Sequence, residues 1–209
     1  SATSPARPTS ATIIAPPARL NPSQIREVWE RVSRDYEPFR VNVTTVRADY
    51  DNAPADRRTH VIITANDQAL PGSGGVAYMN SFNSPNNAFK IAWCFIDDNA
   101  RNCAVIISHE VGHTLNFNHD GRSNPHEEYY EGHGSGETGW APIMGIGYYR
   151  QLVQWSKREY ARANNPEDDL AIMTHPTRIP YDNDDHGSTL ATATAIDGDR
   201  AGGVIGRND

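Results

Sequence analysis

The stretch HEVGHTLNFNHD, His109 to Asp120, restricts the possible folds more than any other part of the chain. On a helix, positions four apart share a face, so His109 and His113 can aim their imidazoles at one ion. Glu110, beside the first of them, can reach a water on that ion without binding it. A catalytic zinc takes three protein ligands and keeps a fourth position open, so one ligand must come from beyond the helix, and His119 is the candidate. For its ring to return to the same ion, the helix must stop soon after His113 and the chain must turn sharply. Such a turn puts one residue in the left-handed region, where glycine is unstrained and asparagine is among the least unfavourable alternatives. Asn116 stands where the long zinc signature has glycine, and it is expected to hold the turn at a cost of about 1 kcal/mol.

The chain before this motif reads as an α/β layer. Asn21 is a good N-cap, Pro22 suits the first helical position and Gln24 can close a capping box. Ile25, Val28, Trp29, Val32, Tyr36 and Phe39 then keep a helical period, which predicts a helix with one buried face. Strand-like pieces follow: RVNVTTV with Val41 and Val43 alternating, HVIIT at His60–Thr64, GGVAYMNSF at Gly74–Phe82, and FKIAWCFI with Phe89, Ile91, Trp93 and Phe95 on one face. The segment AVIISHEVGHTL, within Asn102–Asn116, is apolar nearly all round, as a buried helix is. This order predicts an α/β (α+β) fold with the site at a sheet edge.

Residues 1–20, rich in proline and small polar residues, read as an extended arm in which only ATIIA could form a short strand. From Gly121 to Trp140 the composition is that of a long loop. Ser156 with Glu159, and Asn165, Pro166 and Asp168 ahead of LAIM, mark the starts of two later helices. Residues 179–209 turn acidic and Gly-rich, as a linker or the start of a truncated following module would. The expected division is therefore an arm (1–20), a catalytic domain (21–178, with subdomains 21–120 and 121–178) and a linker (179–209).

A net charge of -7 argues against nucleic acid, which needs a basic footprint, and no apolar run is long enough to span a bilayer. Ser1 opens directly in the arm, which reads as a processed, exported form. In that compartment Cys94 and Cys103, nine positions apart, are expected to pair as a disulfide tying a strand end to the motif helix. Asp97 and Asp98, and Asp182, Asp184 and Asp185, offer carboxylates to calcium, but neither run matches a calcium loop and solvated loops are expected. His133 reads as a structural or exposed loop residue.

HEVGHTLNFNHD followed by GWAPIMG resembles the metzincin clan of zinc endopeptidases, whose long motif is followed by a Met-turn. YYEGHGSGETGWAPIMGIGYY and QWSKREY are similar to secreted bacterial metzincins with reprolysin-like motifs. The resemblance, over about residues 21–175 by motif spacing, implies a twisted mixed sheet on a long backing helix and a buried active-site helix. It also implies a mostly irregular C-terminal subdomain with a Met-turn and helices. It makes His109, His113 and His119 ligands of one zinc, Glu110 the general base, Met144 the methionine beneath the metal, and Asp120 the acid that follows the third ligand in some branches. GGVAYMNSF becomes the edge strand, with Gly75, Val76, Ala77 and Tyr78 beside an extended peptide substrate. Some members carry a tyrosine two residues after the methionine. Here that position is Ile146, and Tyr148 and Tyr149 are expected to wall the pocket beyond the scissile bond instead.

The function these residues imply is a secreted, monomeric zinc endopeptidase acting on protein or peptide substrates. Two alternatives are a zinc-holding but weakly active protein-binding module and an amide hydrolase acting on cell-wall peptides. Glu110 discriminates against the first, because a module without activity has no need of the base.

Overall fold

The computed structural model describes residues 12–182 and residue 191. Its four helices are α1 (Pro22–Tyr36), α2 (Arg47–Asn52), α3 (Ala100–Thr114) and α4 (Asp169–Met173). Its strands are β1 (His60–Ile63), β2 (Gly75–Val76), β3 (Ile91–Cys94), β4 (Arg122–Ser123), β5 (His126–Glu127), β6 (Trp140–Pro142) and β7 (Leu152–Gln154). The result is a mixed α/β fold with three small sheets.

The principal sheet has the order β1-β3-β2, with β1 parallel to β3 and β2 antiparallel to it on the outer edge. Helix α1 begins as its sequence dictates: the Asn21 side chain accepts from Gln24 N and the Gln24 side chain accepts from Asn21 N, a full capping box with Pro22 inside it. It packs against α3 through Val28, Val32 and Tyr36, while Ile25 and Trp29 are left half-exposed. The two helices are also joined by polar contacts, Ser108 Oγ donating to Asp35 Oδ2 at 2.5 Å and the Tyr36 hydroxyl to the Ser108 carbonyl at 3.4 Å, while Trp155 Nε1, just beyond β7, donates to the Asp35 carbonyl at 2.6 Å. Helix α3 is buried along nearly its whole length between α1 and the sheet. A helix apolar on every side has no face that gains from facing water.

Several sequence expectations are corrected. RVNVTTV forms no strand, and the chain runs from it into the unexpected α2; Val41 is exposed and Val43 half-buried, so alternation there found no partner strand. The described part of ATIIA is likewise not a strand. GGVAYMNSF pairs only at Gly75–Val76, then turns back so that Asn80 N and Phe82 N donate to the carbonyls of His113 and Thr114 at the end of α3. In β3 the buried side chains are Ala92 and Cys94, not the bulkier Ile91 and Trp93, because α3 approaches too closely for large residues.

The capping pattern at Ser156 starts no helix: its hydroxyl is drawn into a tertiary bond to Asp120, and Glu159 accepts from Lys157 N. Asp168 does cap α4, accepting from Ala171 N. Cys94 and Cys103 are buried free thiols with Sγ atoms 3.6 Å apart, well beyond the bonding distance of about 2.05 Å. The disulfide expectation is thus not met. Asp97 is engaged by Arg19 at 2.8 Å, which holds its carboxyl below the usual range. Residues 179–182 lie against the domain, Tyr181 stacking on Phe39 at 5.4 Å. Asp184 and Asp185, most of the acidic stretch and residues 1–11 of the arm lie outside the described residues. Among the described residues, no helix is long and apolar enough to cross a membrane.

Candidate metal centre and active-site cleft

The site is assembled where α3 ends. Beyond Thr114 and the cap residue Leu115, Asn116 adopts φ 76°. Its N–H donates to the His113 carbonyl at 2.9 Å and the Phe117 N–H to the Gly112 carbonyl at 3.1 Å. This is a Schellman ending with asparagine in the left-handed position, so Asn116 does what glycine does in the long signature. Phe117 then buries completely, its ring 5.3 Å from that of Trp155, and the chain returns towards the helix with His119.

His109, His113 and His119 bring one ligand atom each within 4.8 Å of one another. His109 Nδ1 meets the Ile143 carbonyl at 3.0 Å and His113 Nδ1 meets the Phe117 carbonyl at 2.8 Å. A carbonyl only accepts, so both Nδ1 atoms carry the proton and both Nε2 lone pairs face inward. The Nε2 atoms of His113 and His119 lie 3.0 Å apart, close to the roughly 3.3 Å edge of a tetrahedron with Zn–N bonds near 2.05 Å. His119 Nδ1 faces Glu128 Oε1 at 3.4 Å, a charge contact that favours a proton on that nitrogen as well. Three convergent, neutral imidazole donors fit zinc. Burial disfavours the charged form of all three rings, pushing His109 well below the ordinary histidine value, His113 down to about 4, and His119 down in the same direction.

Glu110, one position from His109, is buried, and its Oε2 atom has no hydrogen-bond partner among the described residues. Burial pushes its carboxyl up to about 8. It opens, with the three histidines, onto a cleft of about 350 Å³. One wall is the strand side, Gly74 to Ala77, and another is Gly145, Ile146 and Tyr148. Gly75 is obligatory here: a Cβ would come within 2.6 Å of both Ile106 Cγ2 and the Trp93 carbonyl, and 2.8 Å from Glu110 Cγ. Met144 is wholly buried under α3, and a Cβ on Gly112 would meet its sulfur at 2.5 Å. Asp120 points away from the cleft, accepting from Ser156 Oγ at 2.7 Å and Asn165 Nδ2 at 3.1 Å, and burial raises its carboxyl to about 6.

Of the expected substrate-side residues, Gly75, Val76, Ala77 and Tyr148 line the cleft. Tyr78 and Tyr149 do not: Tyr78 packs edge-on to Phe89 at 5.0 Å, and Tyr149 is 81% exposed. His133 is exposed, with its Nδ1 3.0 Å from the Tyr130 hydroxyl. Tyr129, which sequence reasoning missed, stacks obliquely on His119 with centroids 4.2 Å apart and lines the cleft. Nothing local in HEEYYEGHG marks it out, because its position depends on how the loop after His119 folds back.

Three inward-facing histidines with an adjacent carboxylate define the class as a zinc metallopeptidase site. The family model described as dual-action HEIGH metallopeptidase, peptidase family M57, matches residues 4–142. The chain belongs to this metzincin-type family. The five letters of its name differ from HEVGH only at Val111. No curated protein matches the chain.

Proposed function

We propose that the chain is a zinc endopeptidase in which Glu110 is the general base. The observation that carries this reading is the Glu110 carboxyl itself, buried in the cleft beside three metal-competent histidines, with one oxygen that has no hydrogen-bond partner among the described residues. A site that only held metal would gain nothing from so costly a group.

His109, His113 and His119 would hold the ion. Zinc bound there supplies Lewis acidity, acidifying a water and polarising the scissile carbonyl. Glu110 takes the proton of the attacking water and returns it to the nitrogen of the departing amine. Met144 is the Met-turn residue, a floor that fixes the rear of α3. Strand β2, unpaired on its outer side among the described residues, binds the substrate backbone as an added antiparallel strand. Residues 21–120 and 121–178 form the two sides of this catalytic unit. Export from the cell follows from the likeness of the motifs to secreted bacterial metzincins.

Cleavage of an unstructured protein substrate, measured alongside zinc content for the wild type and Glu110→Ala, tests the reading. The variant is expected to keep about one zinc and to lose about 10²–10⁴ in kcat. A variant that still cleaves at the wild-type rate removes Glu110 from the mechanism; a wild type that binds zinc and cuts nothing removes the peptidase assignment.

A further inference from the structure

Two adjacent tyrosines after the third ligand face opposite ways. Tyr130 is buried in a small second core, stacked on Tyr160 with centroids 4.3 Å apart. Its backbone is clamped between the two sides of the site: Tyr130 N donates to the Asp120 carbonyl at 2.6 Å and Ile146 N to the Tyr130 carbonyl at 3.0 Å. The residue before it, in the bend that follows β5 (His126–Glu127), lines the cleft. The Tyr129 ring lies 4.2 Å from that of His119, tilted by 40°, and 6.0 Å from that of His109. Its phenol lies within electrostatic range of Glu110 and Glu128.

When water adds to a peptide carbonyl, one O–H bond of the water breaks, a C–O bond forms, and the proton goes to Glu110. The electron pair of the C=O π bond ends on the carbonyl oxygen. A hydrogen-bond donor already aimed at that oxygen stabilises the transition state more than the ground state. Few side chains of the cleft can be that donor. Ile146 has no polar group, and the Ser73 hydroxyl is committed to the Leu70 carbonyl at 2.8 Å. The Tyr148 hydroxyl lies 3.2 Å from where a Cβ on Gly74 would be, beside the strand wall of the cleft, and its phenol too lies within electrostatic range of Glu110, so experiment has to separate the two tyrosines.

We infer that Tyr129 is a catalytic residue of this cleft, its phenol donating a hydrogen bond to the scissile carbonyl oxygen as that oxygen gains negative charge. The phenol keeps its own proton throughout. This rests on the peptidase reading above, and the measurements separate the two. Tyr129→Phe preserves the ring against His119 and removes only the hydroxyl. It is expected to lower kcat about a hundredfold, the effect of removing one such donor, with KM and zinc content unchanged. A phosphinic peptide, whose tetrahedral anionic group mimics the charged oxygen, should lose affinity by the same factor.

Three results would overturn the inference: unchanged kcat and phosphinic-peptide affinity in Tyr129→Phe, loss of zinc from that variant, or a comparable loss seen in Tyr148→Phe and not in Tyr129→Phe. If the wild type cleaves nothing, it is the peptidase reading that fails, and the phosphinic-peptide comparison still decides the role of Tyr129.

Discussion

The two sides of the cleft are built on different principles. On one side, α3 is a regular helix whose hydrogen bonds are local, and it carries His109, Glu110 and His113 at positions that helical geometry fixes. On the other, from Asn116 onwards, the described residues form only two-residue and three-residue strands, a single 3-10 turn and one short α-helix. His119 and Tyr129 are held there by bonds between residues far apart in sequence. Asp120 links to Ser156 and Asn165, its backbone N–H bonds to the Met144 carbonyl at 2.8 Å, and the Tyr160 hydroxyl donates to the Gly121 carbonyl at 2.9 Å. The helix supplies ligands because it is a helix, whereas the irregular side supplies them only while its polar network is satisfied.

This contrast is sharpest at the metal. Replacing His119 by alanine removes the one ligand that the irregular side provides. Zinc affinity, measured by chelator competition, is expected to fall by more than about a hundredfold, the upper end of what losing an outer-sphere partner costs, while the helical content of α3 persists in circular dichroism. Loss of helical signal together with the metal would mean that the helix depends on the irregular side, and the contrast would break.

The next effect concerns pH. Asp169 is fully buried; it accepts from Ser156 N at 2.9 Å, and its Oδ1 has no partner. Burial, and then the nearby Asp120 carboxylate, push it up to about 8, while burial raises Asp120 itself to about 6. In the unfolded chain an aspartate titrates near 3.9. The folded state therefore binds more protons than the unfolded one between those values, and stability falls as pH rises through that window. Asp35, raised to about 7 by burial at the α1–α3 contact, acts in the same direction. Urea midpoints of the zinc-loaded protein, compared at pH 7.5 and pH 9 so that the histidines of the unfolded chain, which titrate at about 6.5, are already neutral, should drop towards pH 9. Asp169→Asn should flatten the slope. A midpoint that rises with pH would show that the acids of the irregular side are paired as carboxylates.

The smallest effect is expected at the junction of the two sides. Asn116→Gly relieves the left-handed residue and should stabilise the fold by at most about 1 kcal/mol, raising the melting temperature by a few degrees without altering kcat. Destabilisation would mean that the asparagine side chain, and not only its backbone, holds the turn.

How much was legible in the sequence follows the same division. The capping box at Asn21, the existence of α1, the burial of α3, the spacing of His109, Glu110 and His113, and the left-handed turn at Asn116 are consequences of short-range geometry and could be read from neighbouring residues. The strand readings were less successful. RVNVTTV has the alternation of a strand but no partner, and Ser156 with Glu159 has the letters of a capping box but gives up its hydroxyl to Asp120. Local propensity loses wherever a distant group makes the better bond.

By itself, then, the sequence determined a helix that presents two histidines on one face with a carboxylate beside the first, because a period of 3.6 residues decides which side chains share a face. Only the tertiary structure decided that Met144 lies under Gly112, that Tyr129 and not Tyr149 reaches the cleft, and that Cys94 and Cys103 remain thiols 3.6 Å apart. Those outcomes depend on where separate segments come to rest against one another, and contacts across such distances are set by the packing of the whole core rather than by any period along the chain.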